Sequence, residues 1–575
     1  MYRISNFWNQ RVLKYLLKNS KTEERTYFFL TLIVGLLAAL VAVGLHKTTH
    51  FLVHHFKTHQ EMSALSFVLG GLALFISGYL TTRHFPGTSG SGIPGIRVAL
   101  AVFHGKITFL QTVMKFITSV LSLSSGFSLG REGPTAAIAA GVGSYFGQIF
   151  HLSKKKVKAL VAIGAAGGIA AAFNTPIAAV VFTLEEIVGD LNAKVLGNII
   201  ISSVIASVAA HLLMGNNPTF ETLAFELKHP SELIYYISVG LFSSVLGPLW
   251  TKSVLWIRDF NLRLFKGHRL TITMVTFCII ALFSHIHPEV LGSGHDTIEE
   301  TLKSLIDDWH FLLSLFCLKF IATSLCYGSG VSGGLFLPTL LMGATLGALC
   351  GNLFQLILPN HEFQLSVFAL VGMGSYFVSV IRAPFTSIIM IFEMTRNYPV
   401  ILPLMLANIV SYYLSSKLHN GSIYESISEQ DGIHLPTKDD NDILENLIVE
   451  DAMIQDVVTL NAKLTVAEAA ENIKSIPYSG FPILRNGLLV GMISRSEINQ
   501  AVSKELYDKN LQSIAEKKII TIYPDQSLMV AFHKLNRFHV SRLPVVSRIN
   551  DKKIIGIITA ENIVSLFGYH VTKGK

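Results

Sequence analysis

Gly130-Arg131-Glu132-Gly133-Pro134-Thr135 and Gly334-Leu335-Phe336-Leu337-Pro338-Thr339 carry glycine, proline and threonine in the same places, 204 positions apart. The register persists, because Gly143 and Gly147 are matched by Gly347 and Gly351 at the same offset. Further on, Ala159-Leu160-Val161 and Gly164 recur as Ala369-Leu370-Val371 and Gly374. Pro176, nine residues before Glu185, then recurs as Pro384, nine residues before Glu393. Agreement in both order and spacing marks a duplicated half, a common origin of transporter folds.

The surrounding composition names the solvent. Half of the 575 residues are apolar and 15% are charged, against about 25% charged in a soluble domain; the mean hydropathy is +0.49. Tyr27–Leu45 and Ala159–Leu184 are each long enough to cross a hydrocarbon core of about 30 Å. Residues 27–416 form one nearly continuous apolar region with room for well over ten helical segments. A soluble enzyme is excluded, and an all-α polytopic membrane protein with a soluble tail is expected.

The net charge of +8 does not point to nucleic acid. Arg3, Arg11, Lys14, Lys18, Lys21 and Arg25 precede the first span, and Lys154, Lys155, Lys156 and Lys158 fill a short loop. The positive-inside rule makes both places, and with them both termini, cytoplasmic, in a cell or inner membrane. Residues 1–26 lack a signal-peptide pattern; Phe7, Trp8, Val12, Leu13, Leu16 and Leu17 predict an interfacial helix there. Cys278, Cys317, Cys326 and Cys350 lie in apolar segments and read as core residues without disulfides. His46, His50 and His54 recur at i, i+4, i+8, with His55 and His59 beside them. The spacing suits a ligand set, but no acidic or Cys partner accompanies it, and the stripe reads as a polar helix face without a metal.

Glycine and proline open hydrophobic helices at Gly90-Ser91-Gly92-Ile93-Pro94 and at the two motifs quoted first; the approach to Tyr424 is a fourth interruption. A helix that begins inside a bilayer leaves up to four N–H groups without partners, each costing several kcal/mol in hydrocarbon. Proline in the first turn gives up no needed donor, glycine allows close approach, and the positive end of the helix dipole favours an anion. A small desolvated anion is the natural ligand.

At this point the chain resembles the CLC chloride channel and transporter family, whose three signatures GSGIP, GREGP and GxFxP stand here in the family's order. The resemblance implies an antiparallel two-repeat fold with interrupted helices over 27–424, a homodimer with one ion pathway per subunit, and a chloride held by half-helix N-termini. Carried over residue by residue, Ser91, Gly92, Ile93, Leu335, Phe336 and Tyr424 would surround the anion. Ser91 would donate its hydroxyl, Leu335 and Phe336 their N–H groups, and Tyr424 its phenol. Serine at this place resembles chloride-preferring members, proline nitrate-preferring ones, and the fluoride-exporting branch departs from GSGIP and GREGP. Gly95 stands where many relatives carry Glu.

Glu132 lies where its carboxylate competes with chloride for the same donors, which makes it a tethered anion, a gate and the external proton carrier. Glu185 has a repeat counterpart in Glu393 and reads as a structural carboxylate; Glu186 corresponds to Met394 and is the unpaired addition. By resemblance, Glu at that position accompanies proton-coupled exchange and Val accompanies channels. Glu186 is therefore the expected internal proton acceptor of a chloride/proton antiporter, with a passive gated chloride channel as the alternative. An intramembrane protease would need a second histidine after His361-Glu362, and a divalent-cation transporter would need converging acidic ligands. No cofactor is required by this reading.

After Tyr424 the composition turns polar over 425–446 and then to short strand and helix patterns. Ser479-Gly480-Phe481-Pro482 and Gly491-Met492-Ile493-Ser494 recur as Ser541-Arg542-Leu543-Pro544 and Gly556-Ile557-Ile558-Thr559. This resembles an α/β pair of CBS domains, 447–500 and 513–568, a family that often binds an adenine nucleotide. Ser494, Glu497, Thr559 and Asn562 would be the contacts; the position three after the Ser/Thr is usually Asp in that family, here Glu497 and Asn562, and a purely structural or dimerising pair is the alternative.

Overall fold

The computed structural model describes residues 20–56, 64–190, 195–215, 218–223, 232–265, 267–360, 363–433, 447–515, 519–538 and 540–573. It divides into two compact units, 1–435 and 436–575.

The first unit is all helical, with seventeen α-helices among the described residues. Its first half runs α1 (Ser20–Phe56), α2 (Ala64–Tyr79), α3 (Ile93–Ala101), α4 (Phe109–Ser124), α5 (Glu132–Ile149), α6 (Lys154–Phe173), α7 (Pro176–Phe182) and α8 (Leu196–Met214). The second runs α9 (Leu233–Leu264), α10 (Arg269–Ile286), α11 (His295–Leu302), α12 (Trp309–Gly328), α13 (Phe336–Ile357), α14 (Leu365–Ile381), α15 (Pro384–Thr395), α16 (Ile401–Leu418) and α17 (Ile423–Gln430). Nine helical stretches among the described residues are long and apolar enough to cross a membrane. Of the remainder, α3, α5, α7 and α15 carry proline in their first turn.

The duplication is visible in the packing. α5 lies on α6 as α13 lies on α14, and both pairs meet through glycine. A Cβ on Gly143 would overlap the Leu160 carbonyl, and one on Gly347 would overlap the Phe368 carbonyl. Small residues let helices approach closely where lipid offers no hydrophobic drive. At the centre, Gly130 and Gly334 exchange backbone hydrogen bonds, N to O, at 2.7 and 2.6 Å.

The two repeated carboxylates hold the halves together. Glu393 accepts from the N–H groups of Ile177 (3.0 Å) and Ala178 (2.7 Å), at the start of α7. Glu185 accepts from the N–H of Phe385 (3.4 Å) and from the N–H (2.9 Å) and hydroxyl (2.8 Å) of Thr386, at the start of α15. Each repeat thus caps the other's proline-started helix, using charge where the orphan donors and the dipole favour it.

Several sequence expectations change here. Residues 1–19 of the expected interfacial helix lie outside the described residues, and α1 runs unbroken across the boundary placed after residue 26, since no proline interrupts Ser20–Phe56. The polar linker expected from 425 begins later: Ser422 caps α17 by accepting from the Glu425 N–H at 3.3 Å, and buried Ile427 anchors it. All four cysteines are free thiols; Cys326 and Cys350 are buried, but Cys278 and Cys317 lie on the outer, apolar face rather than in the core. His59 and the His361-Glu362 pair lie outside the described residues.

In the second unit, β1 (Leu460–Asn461), β2 (Gly480–Arg485) and β3 (Leu488–Ser494) form one sheet, with β1 parallel and β3 antiparallel to β2. β4 (Arg542–Val546) and β5 (Ile554–Thr559) form an antiparallel pair. The two cores interleave in sequence. Val449, ahead of β1, packs with Leu543, Val545 and Ile558, while Leu511 packs with Phe481 and Ile483. The division into 447–500 and 513–568 therefore does not follow the cores, because the segment at 447–454 completes the second of them, with Ile454 bonded to Ile557.

Replacing Glu185 or Glu393 by Ala strips the acceptor from the start of α15 or of α7. Each change is expected to cost about 2–4 kcal/mol, read as a lowered melting temperature of the purified protein. The Gln variants, which keep one acceptor oxygen, should lose less; Ala variants that melt with the parent would contradict the capping role.

Candidate functional site

The N-termini of α3, α5 and α13 converge. Gly92, in the left-handed region at φ +91°, turns the chain into α3 and packs against Ala137 of α5. A Cβ on Gly133 would stand 2.7 Å from the Ser91 carbonyl, and one on Gly334 would stand 3.2 Å from the Gly133 nitrogen. Ser91 is buried, and its Oγ accepts from the Ile93 N–H at 3.2 Å. That bond occupies the Ile93 donor expected to face the anion and leaves the serine hydroxyl proton free to be donated elsewhere. Leu335 and Phe336 open α13, so their N–H groups are orphan donors by position. The Phe336 ring packs among Phe173, Phe182 and Phe377, with centroids 4.7, 5.9 and 4.8 Å away, which keeps this end of α13 anchored.

Glu132 opens α5 and is 2% exposed. Among the described residues its carboxylate oxygens have no well-formed hydrogen bond, although they face the Leu337 backbone N–H. Arg131 is not a close partner: its Nε is 3.9 Å from Glu132 Oε1, while its Nη1 donates to His46 Nδ1. His46 and His50 line, with Arg131, His211 and His295, a cavity of about 820 Å³. No group of three or more His, Cys, Asp or Glu residues among the described residues is arranged to hold a metal.

Glu186 lies in a π-helical turn, Thr183–Val188, that continues α7. Turns of this kind concentrate at functional sites. Its Oε1 receives two hydrogen bonds, from Arg97 Nη1 of α3 at 2.7 Å and from Ser422 Oγ of α17 at 2.8 Å. Tyr424, 1% exposed, is two residues beyond Ser422 and within electrostatic reach of both Glu132 and Glu186. Gly95 lines, together with Ser91 and Gly92, a cavity of about 340 Å³, and has nothing within 4 Å of its Cβ position.

Sequence reading missed several participants. Lys115 Nζ donates to the carbonyls of Thr88 (2.9 Å) and Gly90 (2.7 Å), clamping the loop that holds Ser91. Lys319, 204 residues later, donates to Val290 and Gly292, both at 2.9 Å. The clamped loop is Gly292-Ser293-Gly294, a second copy of Gly90-Ser91-Gly92 that also starts a helix through a left-handed glycine, φ +84°. A signal existed, since single lysines inside apolar runs are costly and need a reason. Nothing in spacing signalled Arg97 or Ser422.

In the tail, the four residues expected near a nucleotide are engaged locally. Glu497 Oε2 accepts from the N–H and Oγ of Ser494, both at 2.7 Å, and Asn562 Oδ1 accepts from the N–H (3.0 Å) and Oγ1 (2.7 Å) of Thr559. These are reciprocal helix caps.

Residues 73–416 match the family described as voltage gated chloride channel, and residues 449–504 and 511–569 match the CBS domain. The chain is 30% identical over 432 residues to a protein of Vibrio cholerae named H(+)/Cl(-) exchange transporter ClcA, covering 72% of this chain and 92% of that one. Its fold is similar to that of a slow cyanobacterial Cl-/H+ antiporter, with TM-score 0.65 and 25% identity, over 71% of this chain and 98% of that one. A eukaryotic CLC transporter is similar over 93% of this chain and 98% of its own, with TM-score 0.66 and 20% identity. With paired helix starts around a buried glutamate and a family match over most of the membrane unit, the chain belongs to the voltage gated chloride channel family and carries a CBS tail.

Proposed function

We propose that this protein exchanges chloride for protons across the membrane. The observation that carries the reading is a pair of buried carboxylates, Glu132 and Glu186, both within reach of Tyr424 and neither repeated in the other half. The names of the Vibrio and cyanobacterial relatives support exchange over passive conduction.

Chloride binds where the Ser91 hydroxyl, the Gly92 N–H, the Leu335 and Phe336 N–H groups and the Tyr424 phenol meet, drawn by the positive ends of α3 and α13. The Ile93 amide acts from behind, by bonding to Ser91 Oγ. Glu132, at the start of α5, is the competing anion. As a carboxylate it takes up the donors that chloride uses; protonated, it loses its attraction to them and leaves. Chloride displaces Glu132, which takes up a proton on the outer side; turning inward, it passes the proton towards Glu186 and re-enters the anion site as a carboxylate once chloride has left. Lys154–Lys158, expected from the sequence as a loop, form the first turns of α6, and the positive-inside rule puts that end of the helix in the cytoplasm. Since α6 leads away from that end and α7 turns back, Glu186 is the inner acceptor and Glu132 the outer. The family resemblance extends this to a homodimer with both termini cytoplasmic, which cross-linking in the membrane and protease protection would test.

In liposomes under a chloride gradient, with no pH gradient and the voltage held at zero, protons should move uphill opposite to chloride. Chloride flux without proton movement would make the protein a passive channel. Glu132→Ala should keep chloride transport and lose coupling, and Glu186→Val should cut proton flux at least about tenfold while chloride still moves.

The Cβ of Gly133→Ala should push the Ser91 loop off the anion and weaken chloride binding about tenfold by calorimetry. Gly95→Ala, which meets open space, should bind within about twofold of the parent.

A further inference from the structure

Glu186 is held by side chains from two elements, and each element begins beside or within the donors of the proposed chloride site. Arg97 is six residues beyond Ser91 on the nine-residue α3, and Ser422 caps α17 two residues before Tyr424. Both bond to the same oxygen, Oε1 of Glu186, at 2.7 and 2.8 Å, which leaves Oε2 outside either bond. The arginine and glutamate side chains are 16% and 7% exposed, so the pair is shielded from solvent. The other charged groups facing Glu186 are Glu185 on its own turn and Glu425 on α17, both acidic, and the Tyr424 phenol is near. Arg97 is thus the single cation among the described groups that act on Glu186.

We propose that Arg97 is a positioning residue of the exchange cycle, which holds the Glu186 carboxylate between the helix that follows Ser91 and the helix of Tyr424 and must release it when Glu186 takes up a proton. This rests on Glu186 being the inner proton acceptor. A protonated Glu186 keeps its hydrogen bond from Ser422 at reduced strength but loses its ionic partner, so Arg97 and the short helix that follows the Ser91 loop are freed together. The link gives proton loading a direct mechanical path to the chloride donors, and makes the pH at which Glu186 loads depend on Arg97.

The test is paired chloride and proton flux through the full-length protein in liposomes, over a series of pH values on the Glu186 side. Removing the cation favours the neutral acid, so Arg97→Gln should move the midpoint of proton flux about 1–3 pH units upward, with chloride flux retained. Arg97→Lys keeps the charge and should hold the midpoint within about half a unit. Arg97→Met keeps the aliphatic stem and replaces the glutamine variant if that one fails to fold. A parent that moves chloride without protons would overturn the exchange reading together with this inference. A coupled parent whose Arg97→Gln and Arg97→Met variants keep its midpoint and chloride-to-proton ratio would overturn this inference alone.

Discussion

The structure depends on one constraint: helices that start inside an apolar slab expose N–H groups that nothing in hydrocarbon can accept. The chain meets it by making the two halves supply one another. Glu185 and Glu393 each cap the other repeat's helix, and Gly130 and Gly334 pair across the internal axis. Lys115 and Lys319 perform the complementary task, donating to loop carbonyls at the starts of α3 and α11. With those ends satisfied, orphan donors remain where α3, α5 and α13 converge.

The internal symmetry also sorts the buried ionisable groups. The groups present in both halves, two lysines and two glutamates, are fully engaged with backbone and serve the fold. The groups present once sit opposite apolar residues, Glu132 opposite Phe336 and Glu186 opposite Met394. A charge without a symmetry mate is costly at this depth, and such residues mark ion or proton pathways. Symmetry builds the cradle, and departures from symmetry place the chemistry in it.

Geometry refines how those two acids differ. Among the described residues Glu132 is buried without a well-formed hydrogen bond, and its neighbour Arg131 turns to His46 instead. Glu186 is tied by Arg97 and Ser422. An untied carboxylate beside orphan donors is suited to swing, and a tied one is suited to hand a proton over without moving.

The membrane class, the duplication, the helix starts and both glutamates were legible in the sequence because each is a local or periodic property: hydropathy over about 20 residues, glycine and proline at fixed offsets, an acid where the repeat has none. Even the buried lysines lay in the 204-residue register, and the second Gly-Ser-Gly turn lay two positions from it. Tertiary structure alone decided which distant groups meet. Arg97 and Ser422 reach Glu186 across 89 and 236 positions of chain, and Val449 completes the core of the CBS repeat that follows its own. Such pairings leave no periodic trace, since a hydrogen bond between residues far apart in sequence depends on how whole helices pack and not on any spacing along the chain.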